Sequence, residues 1–169
     1  MSKSEDIVEK DRQVFEDILE RKKKINDYFG DLLKTEEIVS IYNNLFRIKR
    51  ELNEFFKKNL GDVCNACNGN CCKRYVFEVV GNECFLMWNF FNFELPTPNF
   101  AYLAQKELKN GFSSCVFLNE TGCSLGVYKP FYCYSYIAPT DCDPGMKILG
   151  GRNFSIAEKL IEEYRKFSF

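Results

Sequence analysis

Histidine occurs at none of the 169 positions. Its absence excludes Cys-His and Ser-His nucleophile pairs, the imidazole zinc ligand and the usual near-neutral general base. Neither sign of charge dominates: 23 Lys and Arg stand against 24 Asp and Glu, with a pI near 5.7. Such a chain has no broad field to draw in phosphate backbones or anionic lipid, so neither nucleic acid nor membrane is an expected partner. No apolar run is longer than that from Cys84 to Trp88, far short of the roughly 20 residues a spanning helix needs. The stretch from Met1 to Lys10 is polar, without the apolar region of a secretory signal, which leads to the expectation of a cytoplasmic protein. The glycine fingerprints of Rossmann and P-loop sites are missing, as is the C-x3-C-x2-C order of radical S-adenosylmethionine enzymes.

The sequence is rich in Cys and Phe, with nine and seventeen respectively. In a reducing compartment, clustered cysteines serve as metal ligands or redox groups more often than as a disulfide framework, and an odd total suits full pairing poorly. Residues 1–60 contain neither Cys nor Pro, and their apolar positions recur at helical spacing. Ile7, Val14, Ile18, Ile25, Phe29 and Leu32 mark one helix, interrupted at Gly30 and Asp31. Thr35, followed by Glu36 and Glu37, opens a second. This second helix carries Ile38, Ile41, Tyr42, Leu45, Phe46, Leu52, Phe55 and Phe56, and Leu60–Gly61 reads as its end. The simplest packing is an antiparallel hairpin arm.

Beyond Gly61 the signals change. Arg74–Val80 and Glu83–Trp88 flank Gly81 and Asn82 and predict a β-hairpin with Cys84 on its second strand. Thr97 and Pro98 predict a helix start and Asn110–Gly111 its stop. Cys115–Leu118 reads as a strand leading into a turn. A last helix starts near Ser155, whose spacing to Glu158 matches a capping box. The expected fold is therefore α+β in one domain: a helical hairpin arm (1–60), a small cysteine-rich metal-binding core with short β-hairpins (61–151) and a C-terminal helix (152–169).

Cys64, Cys67, Cys71 and Cys72 form C-x2-C-x3-C-C, and Cys115, Cys123 and Cys133 follow downstream. Thiolates are soft ligands that select zinc, cuprous copper or iron-sulfur clusters, so these seven are the candidate metal ligands. Adjacent side chains diverge, which keeps Cys71 and Cys72 from sharing one mononuclear site with ease. The reading favoured is one centre held by both groups, since such a site also ties distant segments together. Cys84, among Phe85, Leu86 and Trp88, suits core packing, and Cys142 stays open between loop residue and extra ligand.

This seven-cysteine order, with Tyr128, Lys129 and Pro130 before Cys133, resembles the YkgJ-like cysteine-cluster family over about residues 64–133. The resemblance implies a zinc- or iron-chelating domain, and the family's likeness to flagellin lysine N-methylases implies methyl transfer in some members. Lys129 stands where the family pattern has arginine, which keeps the charge and loses the planar fork.

Two functions follow as expectations. One is a binding protein holding zinc or an iron-sulfur cluster, with a protein partner met by the arm or by an aromatic loop; the series Phe90, Phe91, Phe93 and Phe100 reads as core by default, and Pro96 and Pro98 leave such a loop open. The other is an iron-sulfur-dependent redox or methyl-transfer enzyme with acid-base groups such as Asp141, Asp143 or Lys129. A weaker third is thiol redox sensing through Cys71 and Cys72. The aromatic residues around Cys133 (Tyr128, Phe131, Tyr132, Tyr134 and Tyr136) read as a hydrophobic shell, and Arg21–Lys24 as a solvated helix face.

Overall fold

A computed structural model describes residues 2–67, 83–130, 133, 159, 162 and 163, apart from the side chains of 60–67. The chain runs through α1 (Lys3–Phe29), a 3-10 turn (Leu32–Lys34), α2 (Glu36–Cys67), α3 (Glu83–Phe90) and α4 (Phe100–Asn110). Strands β1 (Leu118–Asn119) and β2 (Gly122–Cys123) then pair antiparallel, and a second 3-10 turn covers Gly126–Tyr128. The described residues are thus mostly helical with a two-stranded sheet, which matches an α+β class at that coarse level.

Helix α1 opens with a capping box, in which the Ser2 hydroxyl accepts from the Glu5 N–H and the Glu5 carboxylate accepts from the Ser2 N–H at 2.6 Å. It closes at Gly30, where a Cβ would lie 2.7 Å from the Asn26 carbonyl oxygen. Glycine is therefore the residue that fits this end. The Thr35 hydroxyl donates to the Leu32 carbonyl at 3.0 Å and closes the 3-10 turn before α2. Both helical stripes bury as expected at Ile18, Ile25, Tyr42, Leu45, Leu52 and Phe56, whereas Leu32 is exposed.

Several expectations are corrected. Helix α2 does not end at Leu60–Gly61 but continues to Cys67. An internal glycine costs about 1 kcal/mol relative to alanine, which a long amphipathic helix offsets. The boundary drawn between residues 60 and 61 therefore falls inside a helix. Glu83–Phe90 is helix α3, not a strand, because a segment that is apolar on every side suits burial in either form and its periodicity cannot separate the two. Arg74–Val80 lies outside the described residues. Helix α4 starts at Phe100, with the Asn99 side chain accepting from the Tyr102 N–H at 3.2 Å, so Pro98 precedes the cap. It stops where expected, at Gly111 with φ 75°, a left-handed conformation that glycine adopts without strain. Only Leu118 of the expected strand Cys115–Leu118 pairs in the sheet, since the Leu118 N–H turns back to the Cys115 carbonyl at 3.0 Å.

The arm is also not a simple hairpin. Among the described residues α1 packs most extensively on α3 and α4, and α2 on the two 3-10 turns. Helix α3 lies between the long helices. The Asn89 amide donates to the Lys22 carbonyl on α1 at 2.9 Å, and Phe90 stacks on Tyr42 of α2 at 5.0 Å. Trp88 is fully buried, edge-on to Phe85 and Phe117, and donates through Nε1 to the Tyr128 carbonyl at 2.8 Å. Lys159, Glu162 and Glu163 are helical, in line with a C-terminal helix, whose Ser155–Glu158 start lies outside the described residues. Arg47 ties this segment to α2 by a 2.6 Å pair with Glu163.

Burial, and then the Glu83 carboxylate, push the Cys84 thiol from 9.0 up to about 12. The unfolded chain releases this proton from pH 9 upward and the folded chain keeps it, so the stabilising effect is complete below pH 9 and is lost as pH rises towards 12. Under reducing conditions, denaturation of the wild type should therefore become easier across that window than denaturation of Cys84→Ala, by up to about 1.4 kcal/mol per pH unit. Parallel pH slopes for the two proteins would count against this account.

Candidate metal centre

The structure places the expected ligands at several points of the fold. Cys64 and Cys67 occupy the last turn of α2, three positions apart, a consequence of the helix running past Gly61. Cys71 and Cys72 lie outside the described residues, as do Cys142, Asp141, Asp143, Phe131, Tyr132, Tyr134 and Tyr136. Cys115 is buried between α4 and β1, Cys123 is exposed on β2, and Cys133 is half-buried just after the second 3-10 turn. Cys84 is not near an edge of the fold; it is enclosed in the core on α3, as its apolar neighbours suggested.

Short local hydrogen bonds fix the backbone around the downstream cysteines. Leu118 pairs with Cys123 across the sheet, and the Asn119 side chain accepts from both the Thr121 N–H and its hydroxyl at 2.9 Å, which holds the two-residue turn. The Phe117 carbonyl accepts from the Ser124 N–H at 2.8 Å and from its hydroxyl at 2.9 Å, extending the grip one residue beyond β2. The Cys133 N–H donates to the Pro130 carbonyl at 3.0 Å and fixes the other approach.

Burial pushes the Cys115 thiol well up, and the charge of Cys123, with that of Cys133, pushes it further. A buried thiol gives up its proton with difficulty, and a cation beside it would offset that cost. Thiolate is a donor that zinc and iron-sulfur centres take. Among the described residues, no group of three or more Cys, Asp or Glu is close enough to hold a metal ion by itself.

The surroundings include features the motif does not contain. Tyr128 stacks on Phe93 at 4.0 Å and tilts against Phe46 at 5.3 Å, so it belongs to an aromatic layer that also takes in Phe91. Arg21 of the basic run lies over the Phe85 ring at 4.8 Å, whereas Lys24 pairs with Glu20 at 2.6 Å on the surface. Lys49 is fully buried, with its ammonium 3.3 Å from Glu83 Oε1 and 3.4 Å from Met87 Sδ. Its charged form is disfavoured first by burial and favoured in turn by Glu83, Cys84 and Cys133. The signal that would have found it is a lysine in the apolar stripe Leu45, Lys49, Leu52, Phe56. Asp11 breaks the stripe of α1 in the same way, between Ile7 and Val14, and is also fully buried.

No protein-family model, no curated protein and no solved structure matches the chain. Among the described residues no helix is long and apolar enough to cross a membrane.

The difference in exposure sets a reactivity order for the metal-free, reduced chain. We expect iodoacetamide to modify Cys123 more than tenfold faster than Cys84 or Cys115 at pH 8, as read by peptide mass spectrometry, because burial holds the latter two as inaccessible thiols (about tenfold taken as a lower bound). Equal rates would show that the hairpin does not enclose Cys115.

Proposed function

We propose that this chain is a metal-binding protein in which cysteine thiolates from residues 64–72 and from Cys115, Cys123 and Cys133 together hold zinc or an iron-sulfur cluster. The reading is carried by the order C-x2-C-x3-C-C with three further cysteines, of which Cys123, paired with Leu118 on the small hairpin, and Cys133 both act electrostatically on the buried Cys115. A second support is the continuation of α2 to Cys67, which puts Cys64 and Cys67 on one helical turn, where residues three apart are neighbours. Bound zinc would supply a structural cross-link between α2 and the hairpin region, and a bound iron-sulfur cluster would add one-electron chemistry.

On this reading, Cys64, Cys67, Cys71, Cys72, Cys115, Cys123 and Cys133 are the ligand pool. Cys84 is excluded from it by its place in the core beside Trp88 and Phe85. The test is purification without oxygen, with metal analysis and a visible spectrum on the same sample. We expect either stoichiometric zinc without colour, or iron and inorganic sulfide at roughly four per chain with broad visible absorption. Cys115→Ser and Cys133→Ser should each lower the bound metal by half or more, and Cys84→Ala should leave it intact. A chain without metal, or seven single Cys-to-Ser variants that all retain it, would overturn the proposal.

A further inference from the structure

We propose that Glu107 is a positioning residue for the metal centre, its carboxylate clamping the backbone just ahead of Cys115 so that this thiol is held where it can ligate. This role rests on the metal-binding reading above and extends it to a residue outside the cysteines.

Glu107 stands in the last turn of α4 and is nearly enclosed, with 8% of its surface exposed. A carboxylate there faces the negative end of the helix dipole, where cations are the favoured residues. Its contribution therefore lies beyond the helix. The Glu107 carbonyl accepts from the Gly111 N–H at 2.9 Å, which closes α4, and its Oε1 accepts from the Ser114 N–H at 2.5 Å in a buried hydrogen bond. One residue thus holds both ends of the connection Gly111–Ser114. Ser114 is fully buried, and its hydroxyl makes no hydrogen bond among the described residues, so its N–H rather than its side chain anchors it.

Cys115 comes next in the chain, and its carbonyl accepts from the Leu118 N–H at 3.0 Å. The residue is accordingly fixed from both sides, through Ser114 before it and Leu118 after it. Its sulfur is served by the same segment: against the burial that keeps the thiol protonated, the Phe117 N–H hydrogen-bonds the sulfur and favours the thiolate. Hydrogen bonds of this kind to a ligating sulfur stabilise and tune a metal centre. A ligand on a short connection keeps its direction only while the connection is held, and a charged acceptor on a buried N–H is a strong means of holding it. Loss of that acceptor would strand the Ser114 N–H in the interior and release the backbone that carries Cys115.

The experiment uses the full-length chain, reduced and made metal-free under nitrogen, with Zn2+ alone titrated against a chromophoric chelator. Glu107→Ala should weaken Zn2+ binding about tenfold, the scale of one charge-assisted hydrogen bond. Glu107→Gln keeps an acceptor oxygen at the same reach and should stay within about twofold of the wild type. Glu107→Asp keeps the charge but withdraws it by one methylene, so it should bind Zn2+ more weakly than Glu107→Gln. That order carries the test if Glu107→Ala does not fold. In the metal-free state, iodoacetamide should label Cys115 about fivefold faster in Glu107→Asp than in the wild type while Cys84 keeps its wild-type rate, a selectivity that a general loss of stability would not produce. Wild type that binds Zn2+, with Glu107→Ala and Glu107→Asp within about twofold of it, overturns this inference and leaves the metal-binding reading standing. Glu107→Gln that binds no more tightly than Glu107→Asp does the same, since charge rather than reach would then decide. Wild type that takes up no Zn2+ removes both.

Discussion

Helix α3 is short and apolar on nearly every side, and such a helix can only be stable when covered all round. Most of the described fold is that covering. Helix α1 closes one side, with Arg21 over Phe85 and the Lys22 carbonyl holding the Asn89 amide. Helix α2 closes another, with Tyr42 on Phe90, Phe46 on Phe91 and Lys49 against Met87. The segment before the sheet brings Phe117 to Trp88, and the second 3-10 turn offers the Tyr128 carbonyl to its indole. A buried indole N–H left without an acceptor costs about 1–3 kcal/mol, so the last contact fixes where that turn can sit.

This covering also sets the position of the cysteines. Phe117 and Tyr128 are both held to Trp88, so burying one indole restrains the chain just after Cys115 and just before the segment that leads to Cys133. Each long helix meanwhile places one charged residue in its apolar stripe, Asp11 on α1 and Lys49 on α2. Such placement lowers stability unless something compensates the charge, and it marks where packing alone does not explain the choice of residue.

The long helices were legible in the amino-acid pattern because their polar faces contrast with their stripes, and Ile18, Ile25, Leu45, Leu52 and Phe56 are buried as that contrast required. Helix α3 was not legible as a helix, since an apolar run with no polar face gives no period to read, and its phenylalanines and tryptophan imitate a strand. The stop at Gly61 was misread for a related reason: glycine ends a helix only where the chain turns, and the long-range packing that decides this is invisible locally. The pairing of α1 and α2 was misjudged because a hairpin is the simplest answer only when nothing lies between its arms, and α3 does. The candidate ligands were legible as a group of seven thiols. What spacing could not supply was their environment, in particular the enclosure of Cys115.

That environment bears on how a centre of this kind would behave. An enclosed thiol such as Cys115, pushed up by burial and by its fellow cysteines, is a poor nucleophile and a poor target for oxidants while it keeps its proton. If Cys115 is a ligand, as proposed, a metal ion displacing its proton would gain a donor already shielded from water, and the same low polarity would slow exchange there. The free energy of loading would accordingly appear largely as free energy of folding, distributed between α2, the hairpin and the second 3-10 turn, because these are the elements that a centre spanning Cys64 to Cys133 would join.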